Sequence, residues 1–101
     1  MSNLLKDEKY TITLAGKEYE IPELSWYVIC EIEKELNCSI TKIQDAFAQK
    51  QMATLLSLTY VLLKDKYPEM TKEVIGKQAG LKDIQPVTEK IFEIISKSMG
   101  E

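Results

Sequence analysis

Histidine is missing from this 101-residue sequence. That gap removes the usual general base at neutral pH, the usual partner of a serine or cysteine nucleophile, and the commonest metal ligand. Glycine is sparse and scattered, at Gly16, Gly76, Gly80 and Gly100, so no glycine-rich loop is available to cradle a phosphate, and no EF-hand pattern is present. The two cysteines, Cys30 and Cys38, lack the CxxC spacing of zinc and redox sites. Cys30 follows Val28 and Ile29 and reads as a small core residue, whereas Cys38 falls at a helix end and is expected to be partly exposed. The sequence therefore predicts no catalytic centre, no cofactor and no metal.

Long hydrophobic runs are also missing. The most apolar stretch, residues 55–63, is broken by Ser57 and Thr59 and falls far short of the roughly 20 residues that span a bilayer. The first residues carry Lys6, Asp7 and Glu8 without an apolar segment, which is not the pattern of a secretion signal; a cytoplasmic location is expected. Charge of one sign is not concentrated either. Thirteen basic and sixteen acidic residues give a net charge of −3, with lysines and glutamates alternating as on solvated helix faces. Nucleic-acid binding, which draws its affinity from neutralising phosphates, is disfavoured by that balance.

What is present is the composition of a folding chain: 45% hydrophobic and 29% charged residues, enough for one modest core. Residues 1–9 are polar and expected to be flexible, and residues 10–99 form a single domain. Residues 10–14 and 18–21 alternate apolar and polar positions around Ala15, Gly16 and Lys17, which predicts a β-hairpin. Its face of Tyr10, Ile12, Leu14, Tyr19 and Ile21 must lie on helices, because an isolated hairpin is marginal.

Helical periodicity follows. Ser25 is placed to cap a helix from Trp26 to about Leu36, with Trp26, Ile29, Cys30, Ile32 and Leu36 as its apolar stripe and Glu31, Glu33 and Glu35 mostly facing water. Those glutamates, two residues apart, fall on different faces and do not converge on one site. Asn37 suits the left-handed end of that helix. Thr41 with Gln44 resembles a capping box opening a short helix through Ile43 and Phe47. Residues 52–66 form the most apolar helix, predicted to be central and contacted on several sides. Thr71 caps a short helix, Gly80 ends it with Leu81 making a hydrophobic contact beyond, and Asp83 caps the last helix, striped by Ile84, Val87, Ile91, Ile94 and Ile95. The expected fold is mainly α with an N-terminal β-hairpin, a small bundle of about four to five helices.

Aromatic, methionine and surplus aliphatic side chains make Tyr27, Met52, Leu55, Leu58, Val61, Phe92 and Met99 the candidates for a protein interface. Trp26 is expected to belong to the core. Residues 71–81 also resemble the first helix and turn of a helix-turn-helix reader. The second helix departs from that pattern, since Pro86 and Glu89 stand where aliphatic residues should be buried, and Asp83 and Glu89 would meet phosphates.

The hairpin with its Gly16-Lys17 turn, the amphipathic acidic helix after it, the aliphatic segment 55–64 and the Thr71-capped helix together resemble the small tail assembly chaperones of long-tailed bacteriophages and prophages. The resemblance covers nearly the whole chain but rests on apolar patterns and caps. It implies a non-enzymatic protein of the bacterial host cytoplasm that binds a long helical tape measure protein and keeps it soluble while tail-tube subunits polymerise around it. It carries no site residue over. Self-association is also implied by the apolar surplus. The alternatives are a small DNA-binding or regulatory protein built on residues 71–95, and an oligomeric phage structural adaptor.

Overall fold

Alternating apolar side chains and a turn of two positive-φ residues make the first element. In the computed structural model, which describes residues 10–98, strands β1 (Tyr10–Leu14) and β2 (Lys17–Ile21) pair antiparallel with Tyr10 opposite Ile21 and Ile12 opposite Tyr19. That register puts Ile12, Leu14, Tyr19 and Ile21 on one buried face. Ala15 at φ 52° and Gly16 at φ 84° form the connection, both in the left-handed region that a type I′ hairpin turn requires. The expected flexible segment 1–9 and the candidate Met99 lie outside the described residues.

Five α-helices follow among the described residues: α1 (Trp26–Leu36), α2 (Ile43–Gln49), α3 (Gln51–Lys64), α4 (Lys72–Gln78) and α5 (Ile84–Ser98). The chain is thus mainly helical with an N-terminal hairpin. Helix α3 is central. It carries α1, α2 and α4 against its sides and receives β2 as well, whereas β1 lies on α5. Leu58 and Leu63 in α3, Ile32 in α1, and Ile91 and Ile94 in α5 are the largest fully buried side chains. The hydrophobic face of the hairpin closes this core from one side, which stabilises strands that would not persist alone.

The caps follow the sequence in part. Ser25 accepts the Val28 N–H at the start of α1, and Asn37 closes that helix at φ 57°. Thr71 accepts the Val74 N–H at the start of α4. Three other expectations are corrected. The turn before α2 is capped by Ser39, whose hydroxyl accepts the Thr41 N–H and opens a 3-10 turn at Ile40–Lys42; Thr41 and Gln44 form no capping box there. Gly80 sits in extended backbone at φ −111° rather than left-handed, so Leu81 is not folded back onto α4 and stands 87% exposed. Asp83 closes the 3-10 turn Leu81–Asp83 instead of capping α5, and its carboxylate reaches across the molecule.

Helix α1 is rotated from the expected stripe. Val28 and Ile32, one turn apart, are its buried positions, with Ile29 and Leu36 half-buried beside them. Trp26 and Cys30 share a line displaced from that seam, and both are exposed, Trp26 by 89%. The glutamates are not simply solvated. Glu31 lies 2.5 Å from Lys64 of α3 and 3.3 Å from Lys34, Glu33 accepts the Ile40 N–H at 2.9 Å, and Glu35 pairs with Lys72 of α4. As expected, they do not converge; each fastens α1 to a different neighbour. The bond from Lys64, then that from Lys34, holds the Glu31 carboxyl below its ordinary value, and the same pairing raises Lys64.

Candidate functional site

An apolar groove of about 510 Å³ opens where α4 and α5 diverge over the N-terminal half of α3. Its floor and walls are made by Leu14 of β1, Leu55, Leu56 and Thr59 of α3, Ile75 and Gly76 of α4, Ala79 just after it, and Ile84 and Val87 of α5. Met52 and Leu81 stand at its rim, 52% and 87% exposed. The construction follows from the caps. Thr71 fixes where α4 begins, Ala79 and Gly80 in extended backbone carry the chain away from α4, and the 3-10 turn then redirects it into α5. Helix α4 packs on α3, with the groove separating it from α5.

Asp83 sits at the edge of this groove and bridges two segments that border it. Its Oδ2 accepts the Gly80 N–H at 2.9 Å and the Ala15 N–H at 3.2 Å. Those two backbone donors, with Lys82 nearby, hold the Asp83 carboxyl below the usual carboxylate value. One side chain thereby anchors the α4–α5 connection to the tip of the hairpin, and with it the position of Leu81.

The structure separates the sequence candidates into three groups. Met52 reaches the groove, and Tyr27 is 58% exposed on α1, away from the groove lining. Leu58 and Val61 are buried among the core residues and are corrected from surface to core; Leu55 is buried too, although it forms part of the groove floor. The reason is the position of α3: a helix covered by three helices and a strand spends its aliphatic side chains internally. Phe92 is half-buried, with its ring centroid 4.9 Å from that of Phe47 in α2. Sequence reasoning missed Leu56, Ile75, Gly76 and Leu81. A leucine after Gly80 reads as the hydrophobic contact beyond a helix cap, and the extended backbone at Gly80 turns it outward instead.

A second, smaller depression of about 310 Å³ lies between the end of α1 and the α2–α3 junction, lined by polar groups including Cys38, Lys42, Asp45 and Lys50. Among the described residues no helix is long and apolar enough to cross a membrane, and no group of three or more acidic or cysteine side chains is placed to hold a metal ion.

The fold and groove define a small helical domain with a preformed apolar cleft. Comparison with protein-family models, curated proteins and solved structures returns no match.

Proposed function

We propose that this protein is a non-enzymatic tail assembly chaperone, and that its groove takes an apolar stripe of the helical tape measure protein in the host cytoplasm. The observation that carries this reading is the groove between α4 and α5, with Met52 and Leu81 exposed at its rim. Its volume exceeds one side chain and suits two or three apolar side chains at i, i+3 and i+4 of a single helix. A long helix with uncovered apolar stripes aggregates, and covering one stripe at a time is what such a groove can do. The resemblance of the sequence to tail assembly chaperones supplies the choice of partner.

The test is co-expression of the chain with the tape measure protein encoded near it. The complex is expected to co-elute in size-exclusion chromatography and to keep the long protein in the soluble fraction. The Leu81→Asp variant, which places a charge at the exposed rim, is expected to abolish both effects while leaving the circular dichroism spectrum unchanged. Equal solubility of the long protein without this chain, with no complex eluting, would overturn the reading. Elution of the chain alone as a stable oligomer with no affinity for the long protein would favour the structural adaptor.

A further inference from the structure

Every carboxylate of helix α1 is engaged within the chain, and the side the helix leaves to solvent carries no acid. Glu31 is held by Lys64 and Lys34, Glu33 by the Ile40 N–H, and Glu35 by Lys72. The exposed residues of α1 are Trp26, Tyr27, Cys30 and Lys34. Trp26, the single tryptophan of the sequence, is 89% exposed, and Tyr27 is 58% exposed. Trp26, Cys30 and Lys34 recur at intervals of four, so they form one ridge, on the side of α1 away from the buried Val28 and Ile32. None of them lines the groove. Tryptophan and tyrosine are the side chains most enriched at the energetic centres of protein interfaces, and here neither is spent on the core.

The ridge is complementary to itself. It has an aromatic ring at one end, a cation at the other and a small residue midway. We propose that α1 pairs antiparallel with α1 of a second copy along this ridge, about a two-fold axis at Cys30, with each Trp26 ring under the Lys34 ammonium of the other copy. A two-fold interface of this kind requires one patch to fit its own image, and these three positions meet that requirement. Indole is the best of the aromatic faces for a cation. Lys34 can leave Glu31 without stranding it, because Glu31 keeps Lys64 at 2.5 Å. Antiparallel pairing also sets the two Lys34 positions about 12 Å apart along the helix axis, beyond a Debye length of about 8 Å, whereas parallel pairing would bring them together. Ridges of i, i+4 spacing interdigitate, and the small Cys30 lets the two axes approach. Four aromatic rings bury on the order of 600–800 Å², less than the roughly 1,200–2,000 Å² of stable interfaces, so the dimer is weak and concentration-dependent. The pairing does not depend on what the groove takes.

Sedimentation velocity on the full chain tests this, run from about 1 to about 300 µM to cover the dissociation range of so small an interface. Emission of the single tryptophan reads the burial of Trp26 in the same samples. A monomer–dimer shift with concentration is expected, with the emission moving to the blue as dimer forms. Trp26→Ala, at an exposed position, is expected to keep the circular dichroism spectrum and to stay monomeric throughout. Lys34→Gln is expected to weaken the dimer about tenfold, and Lys34→Arg to keep it, since a guanidinium serves over an indole as an ammonium does. In a Cys38→Ser background, a short bismaleimide is expected to link Cys30 to Cys30 in the dimer, and to link nothing once Trp26→Ala is added. Leu81→Asp, at the groove rim, is expected to leave dimerisation unchanged. A chain that stays monomeric across the range with unshifted emission overturns the proposal. So does a dimer that Trp26→Ala leaves intact or that Leu81→Asp dissolves.

Discussion

The two halves of helix α3 have nearly the same character in sequence and opposite fates in the fold. Leu58, Val61, Leu62 and Leu63, toward its C-terminus, are closed in the core. Met52 and Leu56, toward its N-terminus, look into the groove, with Leu55 buried in its floor. What separates them is the neighbours. Around the second half the hairpin and α1 close over the helix, with Glu31 and Lys64 joined across the α1–α3 seam. Around the first half α4 and α5 diverge, with extended backbone at Ala79 and Gly80 between them and the Asp83 carboxylate bridging that connection to the hairpin tip. An apolar run states that burial is needed; it does not state whether this chain or another supplies the cover.

The contrast can be broken most forcefully at its closed end. Leu58 is fully buried, so Leu58→Ala should destabilise the protein by about 2–5 kcal/mol, measured by urea unfolding. At the hinge of the comparison, Asp83→Ala removes a charged acceptor from two backbone N–H groups and should cost about 2 kcal/mol, with loss of partner binding as the groove edge loosens. The pH dependence has a definite sign. Because the folded carboxyl titrates below its unfolded value, near about 4, its stabilisation is present above that value and is lost as pH falls through the folded one. Asp83→Asn should accordingly show a shallower loss of stability on acidification than the wild type, when urea midpoints are compared across acid pH.

Smaller effects sharpen the comparison. Ala15 adopts φ 52° without being glycine, and Asn is the preferred residue at that position of a type I′ turn, so Ala15→Asn should stabilise the hairpin by about 0.5–1 kcal/mol in thermal unfolding. At the open end, Met52→Ala and Leu81→Ala should change stability by less than about 0.5 kcal/mol while weakening partner binding. A large stability loss from either would mean that the groove rim is held by this chain after all.

Much of the architecture is legible in the sequence because local rules carry it. Strand alternation and a glycine turn locate the hairpin, and Ser25, Asn37 and Thr71 mark helix ends by hydrogen bonds that their own side chains or backbone conformations make. The centrality of α3 follows from apolar residues all around it. Reading by residue type fails at Trp26 and Cys30, because the phase of α1 is set by Val28 and Ile32, and a large aromatic at the first helical position need not face inward. The groove was beyond reach for another reason. It is a gap between residues 14, 52–59 and 75–87, and no local pattern encodes the space left between elements distant in sequence.

The bond from Ala15 N–H to Asp83 spans 68 positions along the chain, and this has a consequence for the order of assembly. The tip of the hairpin is synthesised well before its anchor and the α5 wall that β1 lies on. Contacts of such long sequence separation close late in folding, after the loop entropy between them has been overcome. Until α5 is made, the hairpin lacks the wall and the anchor that hold it, and the cleft is unfinished. The apolar N-terminal half of α3 lacks its α5-side wall over the same interval.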